Sequence, residues 1–497
     1  MSIRVTYSGF ISLILGLFNI GFGIGFTIIV TRTLDILQYG TWGFISGIVV
    51  YATIVEPIIT YWATREIARE ENSGKTSVFA GLIFSAVGSV IYVISVLLTV
   101  EQTDAEQSIV LLGIILVPVV FLNRVFSSIT IGWRPQGVSY GQMIFGVAQV
   151  FGALFFVYFL KMSIEGVILT VTIAYAVSIL FYINYNKKQL IESIKIKFLK
   201  KWINLSWISM YPVLGDIIYA LDIMVFSVIT HSVIGLAFWT ASTMLSILIS
   251  NAGLISRAVY SKLLQGEKTD FVQENVRHLF YFAILFVGFT ITFAKPGLFV
   301  LNPEYVLAEY IVIFLALKSF LYVISNNLRS FVTGIETVDT DKSSTFKDYL
   351  KSKLIIMSTL ELIQSISYIV FLAVTISILV LTVDSQIELV TYWAGIALIV
   401  QIPISIGSII LFKKYFTFKF DYKAIIKFLI VAIFVFGITH LMMNEFLEYK
   451  PALVDFFPSV VIFGVFGIMA YIGITILIDK KTRLLAKSVL NEIKNRN

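Results

Sequence analysis

Fourteen runs of about 20 apolar residues follow one another along the chain, each long enough for a helix rising 1.5 Å per residue to cross about 30 Å of hydrocarbon. They leave room for little else in 497 residues: 58% are hydrophobic and 13% charged, against about a quarter charged in soluble domains. Inside lipid a backbone must satisfy its own hydrogen bonds, and continuous apolar runs lack the strict alternation of barrel strands, so the runs read as helices. The predicted spans are 9–30, 40–61, 78–98, 109–131, 140–160, 167–185, 205–229, 233–255, 276–294, 306–331, 354–381, 389–412, 424–443 and 454–478. The expected fold class is all-α, a polytopic membrane protein with about 14 transmembrane helices. The first run is too long for a signal-peptide core and ends in Thr31-Arg32-Thr33 with no small-x-small site, so it is expected to persist as a span.

The net charge of +7 does not form one patch of the kind nucleic acid requires. The basic residues recur in alternate loops: Arg65, Arg69 and Lys75; six lysines over 187–201; Arg257, Lys262, Lys268 and Arg277; Lys342, Lys347, Lys351 and Lys353; then the tail from Lys480. The opposite loops hold little beyond Arg32, Lys161, Lys295 and Lys450, and 101–106 is purely acidic. The positive-inside rule then predicts both termini cytoplasmic, which demands an even number of spans. Segment 186–204 sets Ile191, Ile194, Phe198 and Trp202 at helical spacing among the lysines. It reads as a cytoplasmic amphipathic helix on anionic lipid headgroups, or as an ordinary solvated basic loop.

Enzyme signatures are missing: there is no Walker A loop, no Gly-x-Ser-x-Gly elbow and no His-Glu-x-x-His. With no cysteine, and with His231, His278 and His440 far apart, neither a thiolate site nor a histidine metal cluster is expected, and no cofactor. The informative residues are ionisable ones at membrane depth, which cost about 2.5 to 3.5 kcal/mol each on insertion scales unless they meet a cavity or a partner. Lys318, Tyr322, Ser325 and Arg329 share one helical face, with Asn326 beside them, and Ser358, Glu361, Ser365 and Tyr368 form a second polar stripe. The seventh span carries Asp216, Tyr219 and Asp222. The second carries Glu56-Pro57, where a kink is expected, and the fourth carries Asn123-Arg124 at similar depth. Either such groups line a cavity or they pair structurally, Glu56 with Arg124 and Glu361 with Arg329.

Several short motifs fall in a familiar order: Thr31-Arg32-Thr33-Leu34 and Tyr39-Gly40, then Thr64-Arg65-Glu66-Ile67-Ala68-Arg69, then Tyr211-Pro212 and Asp222, then Ile234-Gly235-Leu236-Ala237. With the span count, this order resembles the multidrug/oligosaccharidyl-lipid/polysaccharide exporter superfamily, and within it the Wzx-type polysaccharide flippases. The resemblance implies two pseudo-symmetric six-helix lobes, 1–186 and 205–412, joined by the basic linker 187–204 and followed by two appended helices and a basic tail over 413–497. It also implies alternating access, carrying a polyprenyl (di)phosphate-linked oligosaccharide from the cytoplasmic to the outer leaflet of the cell membrane, for surface polysaccharide or glycoprotein glycan. The extra pair of spans departs from the twelve usual in the multidrug antiporters. The full set of cavity arginines of the peptidoglycan-precursor branch is not identifiable.

A phosphate-bearing headgroup needs compensating positive charge in a hydrated cavity. Arg124, Lys318 and Arg329, with Tyr322 and Asn326, are the candidates, and Arg32 and Lys295 sit at span ends where the group would leave. Asp216 and Asp222 are candidates for coupling to a proton or sodium gradient, and Glu56 and Glu361 for cavity acids. The alternatives are an ion-coupled exporter of small organic cations and, from another class, a membrane glycan polymerase or glycosyltransferase.

Overall fold

The computed structural model describes residues 2–256, 259, 263, 270–336, 338, 346–416 and 420–494, without the side chains of 2–15, 270, 346 and 488–494. Among these residues the protein is all-α. Thirteen helices are long and apolar enough to cross a membrane, or fourteen when the bent pair Ile36–Ala52 and Pro57–Ala68 is taken as one span. Large apolar side chains lie exposed along them, Ile410 at 62% and Leu477 at 72%, as lipid contact rather than water requires. Arg257, Lys262, Lys268 and Lys342 lie outside the described residues.

The chain forms two compact units: Asn19–Thr240 with Ser358–Trp393, and Met1–Phe18 with Ala241–Met357 and Ala394–Asn497. In the first, Ile59, Trp62, Phe121, Val125, Tyr182 and Trp202 build the core. The basic segment enters this core. Its helix runs Ile196–Asn204 and buries Phe198 and Trp202, while Ile191 and Ile194 remain exposed. Lys201 Nζ donates to the buried Glu66 Oε1 at 3.0 Å, tying this helix to Pro57–Ala68.

Two of the segments that carry the motifs named above, Tyr39-Gly40 and Ile234-Gly235, pack against each other. Helix Ile36–Ala52 meets the start of Ile234–Ser250 so closely that a Cβ on Gly40 would overlap the Val233 carbonyl, and one on Gly43 would come within 2.8 Å of Thr240 Oγ1. Small residues permit such backbone approach between spans. Asp104 completes the corner: its carboxylate accepts the Val233 N–H and the Ser232 hydroxyl, both at 2.7 Å.

In the second unit the two last spans, Tyr422–Phe446 and Leu453–Ile478, are part of the core. Phe428, Phe436 and Tyr471 pack with Leu279, Tyr281 and Phe282 of Asp270–Thr292. Arg277, counted above among loop cations, is buried at 4% exposure inside this helix. Its Nη2 donates to Asp479 Oδ2, and its Nε lies 3.5 Å from Asp421 Oδ2. Asp421 caps the Tyr422–Phe446 helix by accepting the Ala424 N–H at 3.2 Å. Burial pushes the Asp479 carboxyl up, but the Thr482 N–H and hydroxyl, each at 2.8 Å, and Arg277 outweigh it and hold the group below its ordinary range.

Candidate functional site

The second span breaks where the sequence places proline. Pro57 has no N–H to return to the Thr53 carbonyl, which takes the Glu56 N–H at 3.0 Å instead, and the two halves meet at 61°. A cavity of about 690 Å³ opens beside the break, lined by Glu56, Asn123, Arg124, Gln142, Tyr175 and Tyr61 among others. Arg124 Nη1 donates to Glu56 Oε2 at 3.3 Å and to Thr53 Oγ1 at 3.2 Å. The Arg124 side chain is 42% exposed and that of Glu56 13%, so Nη1 serves the pair while the guanidinium stays open to the cavity. Asn123 is oriented by donating to Ser178 Oγ at 3.0 Å.

The other unit has its own cavity of about 440 Å³, lined by Tyr322, Asn326, Asn327, Ser330, Ser250 and Ser256. Tyr322 and Asn326 therefore share one site on helix Glu309–Gly334. Lys318 is half-buried on the same helix with Nζ 5.3 Å from the Tyr322 ring centre. Arg329 is buried at 3% exposure and does not line this cavity. Ser325 points elsewhere again, accepting from Gln401 Nε2 at 3.2 Å. Arg32 is half-buried in the last turn of Ser2–Thr33, and Lys295 is exposed with Nζ 5.4 Å from the Tyr449 ring centre. Glu361 is half-buried on Lys353–Leu379, in the first unit, whereas Arg329 belongs to the second.

Asp216 and Asp222 differ in environment. Asp216 is exposed on Leu214–Tyr219; Asp222, at the start of Asp222–Thr230 after a two-residue break, is buried at 4% exposure. Tyr368 Oη donates to Asp222 Oδ2 at 2.9 Å, and Trp393 Nε1 donates to Tyr368 Oη at 2.6 Å. Tyr219 stacks on Tyr368 with ring centres 4.4 Å apart, and Trp239 on Trp393 at 3.7 Å. Trp393, Gln142, Tyr175 and Ser178 were not legible as site residues. For Gln142 the signal was there, an amide inside an apolar run. Among the described residues no three His, Asp or Glu side chains converge to hold a metal.

No family model matches the chain, and no curated protein matches it by sequence. Solved structures do match, and they are transporters. The lipid II flippase MurJ, in an inward closed conformation, superimposes with a TM-score of 0.65 at 13% identity, over 94% of this chain and 98% of that one. A multidrug resistance MATE family transporter of the MOP superfamily, inward-facing, gives 0.60 at 13% identity over 79% and 94%. A MOP superfamily transporter from Pyrococcus furiosus, described as having a binding pocket of reversed polarity, gives 0.55 at 14% over 83% and 95%. The chain has the fold of MOP-superfamily transporters.

Proposed function

We propose that this protein is a transporter of the cell membrane, with both termini cytoplasmic, which moves a polyprenyl (di)phosphate-linked oligosaccharide from the cytoplasmic to the outer leaflet by alternating access. The observation that carries the reading is the cavity at the bend of the second span. It sets an arginine open to the cavity beside amides and aromatic rings, a lining suited to phosphate on one side and sugar faces on the other. The fold shared with a lipid II flippase over nearly both whole chains supports the same class of substrate. In this reading Arg124 receives the phosphate in one unit, Lys318, Tyr322 and Asn326 serve the second, and Arg32 and Lys295 act at the span ends.

The Arg124–Glu56 pair carries no net charge. That observation, with the fold shared with a multidrug transporter, favours a second reading, export of organic cations. Purified protein in liposomes decides between them. Translocation of a fluorescent polyprenyl diphosphate oligosaccharide, measured by lectin or periodate accessibility, is the expected result. Transport of a cationic dye without it would sustain the second reading and remove the first.

A further inference from the structure

We propose that the cavity of the second unit is a subsite for an uncharged sugar of the substrate, held through the amides of Asn326 and Asn327, and that it takes neither phosphate nor an organic cation. The proposal deepens the flippase reading and rests on it. Helix Glu309–Gly334 sets Tyr322, Asn326 and Ser330 four residues apart, so they form one file along its face. Facing them, the span that begins at Ile234 tightens into a 3-10 turn over Asn251–Ser256. Such a turn stacks residues i and i+3, which brings Gly253 and Ser256 into line, with Ser250 just before them. Asn275 of Asp270–Thr292 fixes the turn: its Oδ1 accepts the Ser256 hydroxyl at 2.7 Å and its Nδ2 donates to the Ile255 carbonyl at 3.1 Å. Gly253 makes room for an amide of the opposite wall, since a Cβ there would come within 2.7 Å of Asn327 Nδ2.

The direction of the protons decides what such a cavity binds. Ser330 donates its hydroxyl to the Asn326 backbone carbonyl at 2.9 Å, and Ser256 has given its own to Asn275. With those protons committed, Ser330 Oγ and Ser256 Oγ can only accept from a ligand. Asn327 Nδ2 gives one hydrogen to the Val323 carbonyl at 2.7 Å and keeps a second, and the Asn326 amide carries a donor and an acceptor of its own. The wall therefore offers donors and acceptors together. Phosphate brings only acceptors and an ammonium only donors, and either sets a charge against a described lining of hydroxyls, amides, apolar side chains and two aromatic rings. Sugar hydroxyl and acetamido groups donate and accept at once, which satisfies both halves of the wall. The Tyr322 ring, 36% exposed, offers a flat apolar face to the C–H side of a pyranose. A volume of about 440 Å³ is that of a small-ligand site. The first unit's cavity differs in kind, because Arg124 and Glu56 put formal charges in its lining.

Saturation-transfer NMR on the purified protein in detergent tests the site without translocation. The probes are uncharged trisaccharides of glucose, mannose and N-acetylglucosamine, with methylenediphosphonate and tetraphenylphosphonium as the charged comparisons. The expected result is binding of at least one trisaccharide, weakened about tenfold by Asn326→Ala through the loss of the amide's hydrogen bonds. Gly253→Ala, which pushes the Asn327 amide out of place, should weaken the same trisaccharide and decides alone should Asn326→Ala not accumulate. The charged probes should be indifferent to both substitutions. No bound trisaccharide, a bound one indifferent to both substitutions, or a charged probe weakened as much as the sugar overturns the proposal. Failure of the flippase reading is seen separately: no lipid-linked oligosaccharide crosses the liposome membrane, although trisaccharide binding and its dependence on Asn326 persist.

Discussion

Arg124 reaches across from the fourth span to Glu56 at the bend of the second, Nη1 to Oε2 at 3.3 Å, with Thr53 Oγ1 sharing the same nitrogen at 3.2 Å. The pair is asymmetric: the acid is mostly enclosed and the arginine half open to the cavity. Structural pairing and phosphate binding, posed as alternatives by the sequence, are therefore compatible in one side chain.

That asymmetry gives the first prediction. Arg124→Gln leaves Glu56 enclosed without its counter-charge and lowers stability by about 1 to 2 kcal/mol, between the exposed-pair and buried-pair regimes. Adding Glu56→Gln restores the melting temperature in detergent but not oligosaccharide translocation. Recovery of translocation by the second substitution would reduce Arg124 to a structural partner of Glu56.

The second prediction concerns orientation. Single cysteines placed at Lys197 and Glu101 meet no native thiol, since the chain has none. An impermeant maleimide added to intact cells should label the residue at 101 and spare the one at 197. The reverse pattern would invert the proposed topology and the direction of transport.

A third concerns pH. Asp479 is held below the ordinary carboxylate range in the folded protein, so its contribution is complete above its unfolded value of about 3.9 and is lost as pH falls through the lower folded value. Asp479→Asn, which leaves buried Arg277 without this partner, should cost about 3 kcal/mol near pH 7. The melting curves of the two proteins should begin to converge below about pH 4, as the carboxylate protonates towards its lower folded value. A constant difference from pH 7 to pH 3 would exclude an electrostatic origin.

The fourth tests the close helix contact in the first unit. Gly40→Ala places a methyl group against the Val233 carbonyl, a backbone atom that moves only with its helix, and should cost about 1 to 3 kcal/mol. Gly21→Ala, where nothing lies within 4 Å, is the control and should be neutral by thermal melting.

Span positions and the all-α class were legible because the length of an apolar run is a local property, and the break at Glu56-Pro57 because proline acts on its own helix. Residues that meet through long-range packing were less so. Asp222 and Tyr368 are 146 positions apart, and the polar stripe that held Tyr368 said nothing of which helix it would face. Arg277 misled because a cation near a span end reads as a loop residue; its acids, Asp421 and Asp479, enter from two distant helices. Trp393 was hidden because tryptophan in an apolar run signals only bulk, and its N–H acquires meaning from the tyrosine that receives it.

The bend in the second span also bears on how the chain is assembled. Glu56 is made 68 residues ahead of Arg124, so during synthesis its carboxylate has no such partner until the fourth span follows. Removing the arginine therefore leaves the chain an acid to insert with no counter-charge to follow it, a cost of assembly distinct from the loss of a contact in the finished fold.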